Sequence, residues 1–296
     1  MTLDLAWQFF LNGLASGGLY ALLAVGLIIA YRASGYLNFC HPYVGMVAAF
    51  FYVISMESLG AVPAALVAVL IGALLAAGLY QGVFKRLVDE PLSAKVVVAL
   101  AMGIGLQVVG GILLLNFDLL GTSFGSLFED GESIGIFGAR VTYQQAALPL
   151  VGLAVIAGVL YLFQRTDFGL ALRATAQNPL SAGLAGIPAR LVEVGAWALT
   201  GALAALTGVL WLSSTSFLVP TYLFEESIRG FIAALAGGFV DFKRAVIAAF
   251  SVGILEQELI GAPEPWNQFP GAVAFGLLTI VALFGLASQT SMERAE

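Results

Sequence analysis

RTDFGLALRATAQNPLSAGLAGIPAR, residues 165–190, is a polar, basic, helix-prone stretch set inside a chain of a very different kind. On both sides of it run apolar segments of about 18 residues or more, each long enough as a helix to cross roughly 30 Å of hydrocarbon. Hydrophobic residues make up 60% of the 296 and charged residues only 10%, and the mean hydropathy is +0.97. Such values lie far from those of soluble globular domains. The sequence is therefore that of an integral membrane protein. The apolar runs are continuous rather than alternating, which excludes a β-barrel and leaves an all-α fold: a polytopic transmembrane helical bundle in a single domain, residues 1–296. No room remains for a separate soluble domain, and nothing in the composition suggests a nucleic-acid partner.

The pattern places helical spans near 8–30, 39–56, 61–82, 94–115, 145–164, 191–213, a short one near 227–241, then 244–261 and 269–288, about eight or nine in all. The first lacks a basic flank and a cleavage site, so it reads as a retained span rather than a signal peptide. Threading these spans through a bilayer puts Arg32, Lys85, Arg86, Lys95, Arg165, Arg173, Arg190, Lys243, Arg244 and Arg294 on one side, 10 of the 12 Lys and Arg. That side is the cytoplasm by the positive-inside rule. The N-terminus is expected outside and the C-terminus in the cytoplasm. Asp118, Glu129, Asp130, Glu132, Glu225, Glu226 and Glu264 collect opposite, with a long acidic extracytoplasmic loop at about 116–144. The 227–241 segment is too short to span comfortably and reads as a tilted span or a re-entrant half-helix, which survives at membrane depth only when buried or lining a cavity.

The interruption at 165–190 is then a cytoplasmic loop. Arg173 to Gln177 favours helix, Asn178-Pro179 can cap and start a second helix, and Gly186 stops it. The expectation is a short helical hairpin at the membrane surface, with Ala174, Ala176, Ala182 and Ala185 leaving a shallow profile for a groove on another protein. A plain basic connector, made positive by topology alone, is equally compatible with the residues. Elsewhere, glycines at packing spacing (Gly13, Gly17, Gly18; Gly103, Gly105, Gly110, Gly111) read as close helix contacts. The fragment around Gly103 has no preceding strand and is not a nucleotide loop. One Cys excludes an internal disulfide, and the single His, His41, cannot form a metal site alone.

The run Ala174-x-Ala176-Gln177-Asn178-Pro179-x-Ser181-Ala182-x-x-x-Gly186-Ile187 resembles the cytoplasmic coupling loop of permeases in the branched-chain amino acid family of ABC importers. Asn12-Gly13-x-x-x-Gly17-x-x-Tyr20-Ala21-Leu22, followed by Gly35-Tyr36-Leu37-Asn38-Phe39-Cys40-His41, is similar to that family's opening motif. Ala234-Leu235-Ala236-Gly237-Gly238-Phe239 resembles its glycine-rich element before the last helices. Cys40 and Pro42 depart from the usual Ala and Gly, and Pro42 stiffens the turn. The size suits that family's shorter permease subunit. The resemblance implies a type II-like ABC importer permease in the inner (plasma) membrane of a bacterium or archaeon. Its partners would be a second permease subunit, homologous or identical, two cytosolic ABC ATPases and a periplasmic or extracellular solute-binding protein. ATP and Mg would bind the ATPases; this chain would carry no cofactor and no catalytic residue. ATPase coupling would fall to Arg173, Ala174, Ala176, Gln177, Asn178, Pro179, Ser181, Ala182, Gly186 and Ile187. The substrates implied are branched-chain or other apolar amino acids, with urea, short amides or aromatic acids as the alternative.

Polar residues inside spans are costly in lipid and tend to face a cavity. Asn12, Ser16, Asn38, His41 and Gln107 are the candidates for a translocation path, with a buried hydrogen-bonded Asn38 and His41 pinning two helices as the competing reading. Glu256 and Glu258 read as interfacial, Glu256 with the option of facing inward, and Glu225 and Arg229 as a local i,i+4 pair. A secondary transporter or channel would show carboxylates or cations near mid-bilayer, whereas these cluster at the edges. An intramembrane serine protease would rest on Ser16 with His41 alone, and Ser16 sits in a glycine-packed stripe.

Overall fold

The computed structural model describes residues 3–124, 133–136, 139–221, 223–274, 276 and 279. The described residues include α1 (Leu3–Ser34), α2 (His41–Leu59), α3 (Ala61–Gly82), α4 (Leu92–Asn116), α5 (Tyr143–Arg165), α6 (Asp167–Gln177), α7 (Pro179–Leu184), α8 (Ala189–Thr215), α9 (Phe224–Ala236) and α10 (Phe242–Ile260), and residues 270–274 are helical as well. Six of them, α1 to α5 and α8, are long and apolar enough to cross a membrane. The segment expected near 244–261 is the 19-residue α10. That expected at 269–288 lies mostly outside the described residues. Helix α9 has 13 residues and so extends about 20 Å, short of the roughly 30 Å hydrocarbon core. Within the 116–144 stretch, read from sequence as a loop, β1 (Ser133–Ile136) pairs antiparallel with β2 (Ala139–Thr142).

Two compact units divide the chain. One takes Met1–Val25, Phe128–Ile156 and Glu226–Glu296, the other Gly26–Leu127 and Ala157–Glu225. The second unit is built on α2, α3 and α8. Helices α2 and α3 are joined by Gly60 alone, whose φ of 82° and ψ of 166° lie in a region essentially confined to glycine. Helices α3 and α8 then meet backbone to backbone: a Cβ built on Gly72 would lie 2.5 Å from Ala205 Cβ and 2.6 Å from the Gly201 carbonyl oxygen. Lipid offers no hydrophobic drive for association, so small residues that permit this approach hold such helices together by dispersion contacts. Around the contact pack Phe50, Tyr52, Ala64, Ala68, Val209 and Leu212. At the other end Trp197 stacks on Phe84 at 4.7 Å between ring centroids, with Tyr80 at 5.6 Å. The outer faces are apolar stripes: Val62, Leu66, Leu70 and Leu74 on α3, and Val97, Ile104, Val108, Ile112 and Leu115 on α4, all exposed. In water such faces would aggregate; in a bilayer they are the solvent-facing side.

In the first unit the same packing device recurs between α1 and α10. A Cβ on Gly253 would lie 2.5 Å from the Gly13 oxygen, and one on Gly17 2.8 Å from Phe250 Cα. Gly18 abuts Pro149, the proline inside α5, at 2.9 Å from its Cα to such a Cβ. Of the glycines read as packing residues in α4, Gly103 meets the Tyr43 ring and Gly110 the Met46 side chain. Gly105 has no neighbour within 4 Å, and Gly111 has only Pro220 at 3.5 Å.

Candidate functional site

The 165–190 stretch forms the expected hairpin. Thr166 caps α6, its Oγ1 accepting from the Gly169 amide at 3.3 Å. Asn178 ends α6 and caps α7, its Oδ1 accepting from the Ser181 amide at 2.9 Å, with Pro179 in the first turn. Each cap satisfies an amide that the helix start leaves orphaned. Gly186, at φ 83°, closes α7, and the Ile187 amide donates to the Ala182 carbonyl at 3.0 Å. That bond from the residue after the left-handed glycine back into the last turn is the usual helix-terminating arrangement.

Packing seats the hairpin on its neighbours. Phe168 of α6 lies against Gly195 of α8, 2.8 Å from a Cβ built there, and Leu172 is buried. Arg173 is half-buried. It turns inward and donates through Nη1 to the Phe163 carbonyl near the end of α5, where a cation complements the helix dipole. The small residues expected to shape a docking face divide. Ala176 and Ala185 are exposed, Ala174 is half-buried, and Ala182 is 4% exposed and fastens α7 in place. Gln177, Asn178, Pro179, Ser181 and Gly186 are exposed and Ile187 half-buried. Leu180 and Leu184, which the sequence reading passed over, stand 74% and 84% exposed on α7. Two such leucines beside polar residues form the kind of apolar anchor a partner groove takes up.

The candidate path residues fall at separate places. In the first unit Asn12 Oδ1 accepts from Gln8 Nε2 at 3.2 Å and Gln145 Nε2 at 3.0 Å, and Ser16 is half-buried on α1. In the second, Asn38 is buried in the turn before α2, its Oδ1 accepting from the Cys40 amide at 3.1 Å and from Cys40 Sγ at 2.8 Å. His41 begins α2, 1% exposed, its Nε2 without a hydrogen-bond partner. Its ring occupies the space over Gly26, where a Cβ would come within 2.7 Å. The two side chains are thus held separately: Asn38 shapes the turn, and His41 packs against α1. Gln107 is half-buried on α4. Among the described residues no group of three His, Cys, Asp or Glu is placed to hold a metal ion.

The first unit also holds a polar cluster that the sequence reading did not assemble. Arg229 of α9 donates through Nε to both Glu256 oxygens, at 3.0 and 2.8 Å, and through Nη2 to Oε1 at 2.5 Å. Its Nη1 reaches Glu226 Oε2 at 3.1 Å. Tyr20 of α1 donates to Glu256 Oε2 at 3.0 Å, and the guanidinium lies 5.8 Å above its ring. Glu256 is therefore buried and inward-facing rather than interfacial. The partners of Arg229 are Glu226 and Glu256, not Glu225, which is exposed. The one helical turn from 225 to 229 admits either glutamate; long-range packing against α10 chooses the face carrying Glu226. The polar character of positions 226, 229 and 256 inside apolar stretches was the available signal.

Comparison with known proteins gives the family. Residues 9–283 match the family described as branched-chain amino acid transport system / permease component. The high-affinity branched-chain amino acid transport system permease protein BraD of Pseudomonas aeruginosa is 28% identical over 304 residues, 97% of each chain. The permease protein LivH of Escherichia coli K12 is 27% identical over 93% of this chain and 92% of its own. A probable branched-chain amino acid transport permease protein LivH of Methanocaldococcus jannaschii is 26% identical over 86% and 81%. Among solved structures, PsaBC from Streptococcus pneumoniae in complex with Fab matches 93% of this chain and 90% of that one with a TM-score of 0.50 and 18% identity, a likeness of fold. The family match runs over almost the whole sequence and the helices it covers are those of a polytopic membrane protein, so this chain belongs to the branched-chain amino acid transport system permease family.

Proposed function

We propose that this permease is one of two membrane subunits of an ATP-driven importer in the cell's inner membrane, carrying branched-chain or related apolar amino acids delivered by a solute-binding protein. Two cytosolic ATPases would dock on the hairpin of α6 and α7, bind ATP and Mg, and bias the bundle between two packings; no chemistry would occur in this chain. The observation that supports the reading is the hairpin itself: rigid through two side-chain caps, seated on α8 through Phe168, and presenting Leu180 and Leu184 outward. A link that transmits movement must be well ordered and must offer an apolar anchor that a partner can desolvate, and the caps together with the exposed leucines support that role.

The test is Leu184→Glu in the co-expressed importer. Loss of ATPase co-purification and of uptake, with membrane insertion unchanged, is the expected result. Full co-purification together with wild-type uptake would refute the docking assignment. Substrate class is read separately, from which amino acid raises the Tm of the solute-binding protein that supports uptake through this chain.

A further inference from the structure

At the end of the second unit where the hairpin approaches α1, α3 and α4, a cleft of about 270 Å³ opens. That is just below the range of about 300–1,000 Å³ that holds drug-sized ligands, so it suits a small metabolite or a headgroup. Its polar lining carries both signs. Arg32 and Lys95 contribute cations, Glu193 a carboxylate, and Tyr36 and Thr175 hydroxyls. The charged groups are held in position: Lys95 Nζ donates to the Val88 carbonyl at 2.7 Å, and Glu193 accepts from the Tyr80 hydroxyl. Each keeps spare capacity, since an ammonium has three donors and a carboxylate about four acceptor sites.

The two hydroxyls point to a ligand independently of the charges. Tyr36 is 4% and Thr175 5% exposed, and neither oxygen has a hydrogen-bond partner. Buried polar groups are rarely left so, and two in one cleft are exceptional. Burial, with Cys40 and Tyr80 close by, raises the Tyr36 phenol above its ordinary range, so it remains a neutral donor. Four donors therefore converge on a space that also holds one carboxylate. An anion alone would meet Glu193, and a cation alone would meet Arg32 and Lys95.

We propose that this cleft binds a small primary-amine zwitterion, its anionic end on Arg32, Lys95, Tyr36 and Thr175 and its ammonium on Glu193. Two sources share that chemistry: a free α-amino acid, and the headgroup of phosphatidylethanolamine. Thr175 stands on α6 and Glu193 on α8, so an occupant bridges the hairpin to the bundle. The proposal concerns binding alone and holds whether or not the chain imports amino acids.

Equilibrium binding on the full-length, delipidated chain in detergent tests it, with L-leucine and lysophosphatidylethanolamine titrated separately. Saturable binding of at least one is expected. Leucine alone would identify the free amino acid as the source, the lipid alone the headgroup, and both the shared chemistry. Tyr36→Phe and Thr175→Val should each weaken binding about fivefold, the effect of one hydrogen bond. Lys95→Gln and Glu193→Gln should weaken it at least tenfold, as charge-assisted contacts require. For leucine, the oxoacid lacking the ammonium and the amine lacking the carboxylate should bind at least tenfold less tightly. Binding of neither probe overturns the proposal. So does wild-type affinity in Tyr36→Phe and Thr175→Val together, or an affinity that Glu193→Gln leaves unchanged or strengthens.

Discussion

Replacing Arg229 with methionine removes the only cation from a buried cluster while keeping most of its bulk. Arg229, Glu226 and Glu256 have side chains only 20%, 11% and 10% exposed, so solvent screens them weakly. The cluster carries one positive and two negative charges. Arg229→Met leaves two carboxylates with their four guanidinium hydrogen bonds gone, and Tyr20 remains the one partner of Glu256 among these. Removing one member of a buried ion pair costs about 3–5 kcal/mol, because the residual charge stays desolvated. Protonation of a carboxylate sets the upper limit. Glu256→Gln acts differently: it leaves one cation facing one anion and retains an acceptor for Tyr20. Its cost should be nearer the 1.5–3 kcal/mol, roughly, of a lost charged hydrogen bond. At roughly 2–4 °C per kcal/mol, Arg229→Met should lower the apparent Tm in detergent by on the order of 10 °C, and Glu256→Gln by about half as much. The double variant should be less damaged than the sum, since the second change removes one of the stranded charges. A Tm for Arg229→Met within 2 °C or so of wild type, or equal losses in the two single variants, would refute the account of the cluster as an asymmetric charge lock.

Two further consequences can be checked on the same protein. Cys40 is fully buried and its thiol is pushed up to about 12 by desolvation, so a water-soluble maleimide should leave it unlabelled at neutral pH until the protein is heated through its transition; rapid labelling of the native chain would contradict the burial. The same shift has a sign: between about pH 9 and pH 12 the unfolded thiol ionises first, so stability falls as pH rises through that window. Gly201→Leu places a side chain where α3 and α8 touch, against Gly72 and Ala76, and should abolish accumulation of folded protein in the membrane, whereas Gly105→Leu, with no neighbour within 4 Å, should be tolerated; equal yields of the two would show that the helices do not meet as described.

What was legible in the sequence was local. Asn178-Pro179 and Gly186 mark the start and stop of α7 because capping and left-handed termination depend on residues one to three apart, and the structure places all three as read. The apolar runs likewise gave α1 to α5 and α8, since length and hydropathy alone define a span. Strands β1 and β2 were not legible, because each alternates over only four residues and no Asn-Gly, Asp-Gly or Gly-Gly pair stands between them. What stayed hidden was the choice among neighbours. Arg229 has carboxylates at i−3 and i−4 and a third 27 residues away. Which it meets is decided by how α9 lies against α10, and no spacing in the sequence encodes that. Ala182 shows the same limit from the other side. A small residue on a surface helix is compatible with both a docking face and a buried foot, and the fold places Ala182 as the foot, 4% exposed. Its inward turn leaves Leu180 and Leu184 outward, two residues earlier and two later on a helix of six, so the exposed apolar pair follows from the packing of the small residue rather than from any property of the leucines themselves.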